Sequence, residues 1–289
     1  MKKAFLQLHI AVFLAGFTGI LGKLISLNEG LLVWYRLMIT SLALWVIEIF
    51  RKNKLKISFA DGVRIFGIGA LAALHWVGFY GSIKYANVSI ALVCFSSIGF
   101  FTALFEPLIF RKRMDVTELA LGTLVIAGIY FIFHFDPGFK LGIIIGLFSA
   151  LLGSLFPIFN RALVQRISPE TLTLYELSGG FLFLSVLLPF YLHFFPSHNL
   201  LPGVWDWLWL LVLSLACTVV AFNLSMYALK KISAFTVNLT YNLEPVYGIL
   251  LAFLVLGENK YLNGGFYLGF GLIVLAIAGQ MVNLRNKGK

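Results

Sequence analysis

The chain has 289 residues, of which 60% are hydrophobic and only 12% charged, and its mean hydropathy is +0.94. An apolar share this high with about half the usual charge excludes a soluble α/β domain. The formal net charge of +10 comes from Lys and Arg clustered between apolar runs, not along one amphipathic face, so it marks membrane topology and excludes a nucleic-acid partner.

Met1-Lys2-Lys3 opens into an apolar run of about 20 residues, longer than the 7 to 15 of a signal-peptide core and without a small-residue cleavage site. It reads as a retained first span, near 4–25. Further apolar runs of bilayer-spanning length follow near 31–50, 62–84, 88–110, 116–134, 141–160, 171–195, 206–229, 233–256 and 263–284. The fold class expected is therefore an all-α integral membrane protein with ten transmembrane helices, joined by short loops into a single membrane domain. Cys94 and Cys217 fall inside spans with no CxxC spacing, which predicts free, buried thiols.

The basic residues test the span count, because one missed helix would scramble their sides. Lys2 and Lys3, Arg51 to Arg64, Arg111 to Arg113, Arg161 and Arg166, Lys230 and Lys231, and Arg285 to Lys289 all fall on one face, seventeen of the 22. Lys23, Arg36, Lys84, Lys140 and Lys260 remain on the other. This asymmetry predicts cytoplasmic N- and C-termini in a multi-pass protein of the cytoplasmic (inner) membrane. Trp205, Trp207 and Trp209 fit an interfacial aromatic belt.

The sequence also repeats. With a shift of about 147 residues, Leu121-Gly-Thr-Leu-Val-Ile-Ala127 falls on Leu268-Gly-Phe-Gly-Leu-Ile-Val274. With a shift near 146, Ser82-Ile-Lys84 falls on Ala228-Leu-Lys230, and near 140, Trp34-Tyr-Arg36 falls on Leu174-Tyr-Glu176. Two halves of five spans each, 1–136 and 137–289, imply that the second copy is inverted. Inverted repeats are an architecture of alternating access around a midplane site, which favours transport.

Ile232-Ser-Ala-Phe-Thr-Val-Asn-Leu239, Glu244-Pro245, Leu256-Gly-Glu258 and Leu268-Gly-Phe-Gly-Leu-Ile273, within a ten-span chain of two repeats, resemble the EamA-type transporters of the drug/metabolite transporter superfamily. The first repeat departs from the pattern: Ile98 stands opposite Pro245, and Phe110-Arg-Lys112 stands where Leu-Gly-Glu would be. The resemblance implies a cytoplasmic-membrane permease, usually an exporter of amino acids, metabolites or small toxic compounds.

Candidate site residues are polar groups at depth, because a charge at a helix centre costs about 2.5 to 3.5 kcal/mol on insertion scales. Glu244 lies about 11 residues, or roughly 16 Å, from either end of its span. A protonatable carboxylate there can couple transport to a proton gradient, and an ionised one can hold an ammonium group. Pro245 removes an amide donor and disfavours helix at Glu244, suggesting a kink or break. Tyr241 shares the stripe of Glu244, and Asn238 flanks it.

His75, Trp76 and Tyr80 lie mid-span and could meet an organic or cationic substrate, although a histidine satisfied by a neighbouring carbonyl is the alternative. Asn223 is either interhelical glue or part of the pocket. Arg36 either snorkels outward or grips a substrate carboxylate. Glu106 and Glu176 read as ion pairs or caps near the cytoplasmic end.

The chain has no HExxH, GxSxG or Walker A motif, so catalysis, a cofactor and a metal site are not expected. The expected partners are membrane lipids and a small-molecule substrate such as an amino acid or organic amine. A lipid-linked or nucleotide-linked sugar carrier or flippase of the same fold, and an integral membrane enzyme, are the alternatives.

Overall fold

The structure, a computed structural model, describes residues 2–287 apart from 52–54, Asp136, His198 and Asn242, and leaves the side chains of 135, 137, 234, 235, 238, 239 and 284–287 undescribed. Among the described residues it is all-helical, with no strand. Spanning backbone must satisfy its own hydrogen bonds in lipid, and long apolar helices do so.

The spans are α1 (Lys2–Leu24), α2 (Glu29–Arg51), α3 (Phe59–Tyr85), α4 (Val88–Phe110), α5 (Val116–Phe135), α6 (Lys140–Leu163), α7 (Pro169–Phe194), α8 (Val204–Leu229) and α10 (Gly264–Lys287). Between α8 and α10 lies α9, described as Ala234–Tyr241 and Leu243–Leu256 on either side of Asn242. The boundaries expected from the apolar runs hold to within a few residues.

Local chemistry sets several ends. Ser58 Oγ accepts from the Asp61 amide at 3.1 Å, Asn87 Oδ1 from the Ile90 amide at 2.8 Å, and Ser168 Oγ from the Thr171 amide at 3.2 Å, capping α3, α4 and α7. Pro169 occupies the first turn of α7, where its missing amide costs nothing. Left-handed residues close α4 at Arg111 (φ 53°) and α9 at Gly257 (φ 66°).

Among the described residues two spans are interrupted part-way along. In α1 the helix stops at Gly16 and restarts at Thr18, and in α4 it stops at Phe95 and restarts at Ile98. A further irregularity was not foreseen: Leu215–Val220 in α8 and Ala252–Leu256 in α9 wind as π-helix, which re-aims side chains on the following turn.

The helix contacts follow the repeat. The first half's α3 packs on α6 and α7 of the second half, while α8 packs on α1 and α2 of the first; α5 pairs with α10, α4 with α9, and α2 with α7. Exchanging each helix with the one five places along leaves these pairings unchanged, as expected of two five-helix repeats. At the basic end, Arg166 grips Asp61 bidentately at 2.6 and 2.9 Å, and Arg161 donates to the Leu229 carbonyl at 2.8 Å. At the opposite end, Asp206 accepts from the Ser26 amide and hydroxyl at 2.7 and 2.6 Å.

Candidate functional site

A cavity of about 100 Å³ lies at the centre, between α1, α2, α3, α4, α6, α8 and α9. It extends from Arg36 and Cys217 to Leu229, the last residue of α8, and Val237, near the start of α9, and so runs toward the basic end. A groove of about 630 Å³ between α2, α3 and α7 is larger, but Leu42, Trp45, Phe66 and Leu182 line it with their exposed faces and no charged residue is present. It is a lipid-facing crevice, whereas the central cavity brings charged groups together.

One wall is built around Arg36 of α2. The side chain is only 3% exposed and does not snorkel. Its Nε donates to Thr218 Oγ1 at 2.8 Å, its Nη1 donates to Tyr80 Oη at 2.9 Å, and its guanidinium sits 4.0 Å from the centroid of the Trp76 ring. Thr218 is available because the π turn in α8 carries it there; its own hydroxyl donates five residues back, to the Leu213 carbonyl at 2.7 Å. Three helices thus hold one cation in a fixed orientation, over an aromatic face that stabilises it.

The opposing wall is built around Glu244 of α9, 4% exposed, which receives a long bond of 3.5 Å from Thr18 Oγ1. Thr18 faces it because α1 restarts there, and because α1 and α9 meet backbone to backbone. A Cβ on Gly16 would lie 3.1 Å from Tyr247 Cβ, and one on Gly248 would lie 3.2 Å from the Gly16 carbonyl oxygen. Tyr241, one turn before Glu244, shares a short hydrogen bond of 2.5 Å with Ser225 Oγ. Arg36 and Glu244 line the same cavity, yet no ion pair joins them. A cation and a carboxylate are therefore both presented to whatever occupies the space.

His75 forms the third polar element. Ser149 Oγ donates its one proton to the His75 carbonyl at 2.7 Å, so the contact of His75 Nδ1 with the Ser149 carbonyl at 2.8 Å requires a proton on Nδ1. That tautomer leaves Nε2 as an acceptor, with no partner among the described residues. Phe79, Phe95, Phe156 and Phe222 complete an aromatic lining, in which Phe156 and Phe222 stack at 6.2 Å and Trp76 meets Phe222 edge-on.

Polar groups on an aromatic wall inside a two-fold bundle suit a carrier, and comparison with known proteins agrees. The model of the EamA-like transporter family matches residues 2–134 and again 140–281. The chain belongs to the EamA-like transporter family. The uncharacterized transporter YcxC of Bacillus subtilis (strain 168) is 24% identical over 269 residues, 88% of this chain and 84% of that protein. An uncharacterized transporter of Archaeoglobus fulgidus is 26% identical over 166 residues, 56% of this chain and 58% of its own. A crystal structure with 18% identity superposes over the whole of both chains with a TM-score of 0.70, a likeness of fold. The chain is thus an EamA-family membrane transporter.

Within this EamA fold, Arg36, His75, Trp76, Tyr241 and Glu244 converge on the cavity, although they come from three separate helices. Tyr80 stands behind Arg36 and Pro245 behind Glu244, both buried. Asn238 lies on α9, but its side chain is outside the described residues. Asn223 binds neither cavity nor neighbour: its amide donates to the Val219 carbonyl of its own helix at 2.8 Å, so it is not interhelical glue. Glu176 forms no ion pair; it is fully buried outside the cavity and accepts from Asn160 Nδ2 at 2.8 Å. Glu106 does pair with Lys112, at 3.7 Å.

Sequence reasoning missed Thr18, Thr218, Ser225 and the four phenylalanines. Thr18 had a usable signal in the Gly16-Phe-Thr18 interruption of an otherwise apolar run. Thr218 had none, because only the π turn brings it to Arg36.

Proposed function

We propose that this EamA-family chain is a secondary carrier that exports a small metabolite, of the amino acid or organic amine class, by alternating access. It would work in the cytoplasmic membrane, with both termini and the basic end in the cytoplasm and the repeats 1–136 and 137–289 rocking about the central cavity. The observation that carries this reading is the cavity's pairing of Arg36 with Glu244, unjoined, on an aromatic wall. A zwitterion presents a carboxylate to a guanidinium and an ammonium to a carboxylate, and each charge-assisted bond is worth about 1.5 to 3 kcal/mol. Glu244 is also positioned to exchange a proton with the basic end through the cavity, which would couple export to a proton gradient.

Cavity size supports this cargo over the alternatives. A volume of about 100 Å³ suits a small molecule, whereas typical ligand pockets of about 300 to 1,000 Å³ take drug-sized or nucleotide-sized ones. Among the described residues Arg36 is the one Arg or Lys side chain lining it, too few for the phosphates of a lipid-linked or nucleotide-linked sugar. The match to the EamA-like transporter family favours a carrier over an enzyme.

Counterflow tests the carrier reading. Proteoliposomes loaded with a mixture of unlabelled amino acids and primary amines should transiently accumulate the radiolabelled mixture from outside, with the overshoot that exchange through one alternating site produces. Equilibration without overshoot for every component would contradict the reading.

A further inference from the structure

The two ends of the cavity are bounded by different chemistry. Toward the end opposite the basic clusters, the first helix of α4 (Val88–Phe95) stands between the cavity and the membrane surface. Phe95 lines the cavity and Leu92 packs against Gly248 of α9. Val88–Phe95 and α9 pack together along that side of the cavity.

Its N-terminus is fastened by Glu258, the acid that follows α9. Glu258 is 6% exposed; its Oε1 accepts from the Val88 amide at 3.0 Å, and its Oε2 accepts from the Ser89 amide at 2.8 Å and the Ser89 hydroxyl at 2.6 Å. A carboxylate on free helix amides gains from both the hydrogen bonds and the helix dipole. Gly257 makes this possible: its left-handed conformation turns the chain back at the end of α9 so that the next residue faces α4.

The repeat supplies the control. A shift of 146 places Gly257 on Arg111, Glu258 on Lys112, and Val88 and Ser89 on residues 234 and 235. Arg111 keeps the left-handed turn, at φ 53° against 66°, so the backbone device is present at both ends. A lysine, however, cannot accept from amides. Lys112 turns instead to Glu106, in a polar pocket of about 320 Å³ that Arg113, Asp115, Glu118, Ser233 and Thr236 also line.

We propose that Glu258 is a one-sided latch, a positioning residue that holds the end opposite the basic clusters shut and so sets the resting carrier open toward the basic end. The proposal rests on the alternating-access reading above. Each transport cycle must break the three bonds from Val88 and Ser89 and remake them. Lys112, at the counterpart position, cannot supply the same hold at the basic end.

Cys217 is a built-in reporter because it lines the cavity, whereas Cys94 does not. In oriented proteoliposomes of the Cys94→Ala protein, a membrane-impermeant cationic thiol reagent is applied to one face at a time. The latch predicts that Glu258→Ala raises Cys217 modification from the face opposite the termini by about tenfold or more, the factor produced by losing roughly 1.4 kcal/mol, and lowers it from the basic face. Glu258→Gln and Ser89→Ala should give the same change of sidedness in smaller steps, which keeps the test decisive if Glu258→Ala fails to fold. Unchanged sidedness in folded variants, while the parent is modified from both faces, would overturn the latch and leave the carrier standing. Faster modification from both faces equally would also overturn it, as general loosening. Modification from one face only in every protein, parent included, would overturn alternating access itself.

Discussion

The two halves of this transporter share a backbone plan and differ in what they hang on it. Both fourth spans end in a left-handed residue, yet one is followed by Glu258 and the other by Lys112. Ser97-Ile98 in the first half stands where Glu244-Pro245 stands in the second. The shift that aligns Trp34-Tyr-Arg36 with Leu174-Tyr-Glu176 places Arg36 opposite Glu176. Arg36 faces the cavity from a three-point cradle, while Glu176 is sealed beside Asn160 outside it. The repeat builds the bundle; the departures from the repeat build the site.

That contrast can be broken by substitution. The largest effect is expected at Glu244. Glu244→Gln keeps size and hydrogen bonding but removes the charge, and should reduce accumulation driven by a pH gradient in proteoliposomes by about tenfold or more. Undiminished, equally pH-dependent accumulation would remove Glu244 from the pathway. Its counterpart change, Ser97→Ala, removes only a hydroxyl that donates to the Cys94 carbonyl of its own helix and should leave the gradient dependence as it is.

Arg36→Lys comes next. Lysine keeps the charge but loses the planar fork shared by Thr218, Tyr80 and the Trp76 face. The half-saturation concentration for cargo should rise about three- to tenfold, with a smaller change in maximal rate, read from concentration-dependent uptake. A fall in rate at constant half-saturation would assign Arg36 to the conformational step instead.

Gly248→Val probes the backbone contact that seats Glu244 against α1. A Cβ there would meet Leu92 Cδ1 at 2.4 Å and the Gly16 carbonyl at 3.2 Å. Overpacking of this kind costs about 1 to 3 kcal/mol, which should appear as a lower thermal midpoint in detergent. The smallest effect belongs to Asn223→Ala. Asn223 Oδ1 is buried without a partner, and its amide serves only its own helix, so stability should move by less than about 0.5 kcal/mol and transport should not change.

Much of the architecture was legible because a bilayer imposes length and charge rules that a linear scan can read. The apolar runs located α4 to the residue and α5 to within one, and the alternating clusters fixed the count. Glu244 stood out because a carboxylate beside a proline is costly at that depth. What could not be read were the irregular turns and the partners across helices. The π segment at Leu215–Val220, which seats Arg36 through Thr218, has no proline or glycine to announce it. The Ser149 carbonyl that fixes the His75 tautomer lies 74 residues away in sequence. Glu258 was visible only as the end of a motif, because nothing in the linear order brings it to Val88 and Ser89.

Binding of cargo between Arg36 and Glu244 is read most directly by a thermal-shift panel. Free amino acids, primary amines and purines would be tested against purified wild-type protein, Glu244→Gln and Arg36→Lys in parallel. The prediction is stabilisation of the wild type by amino acids or amines, abolished in Glu244→Gln and weakened in Arg36→Lys. Stabilisation that persists undiminished in both variants would place the cargo elsewhere and contradict the account.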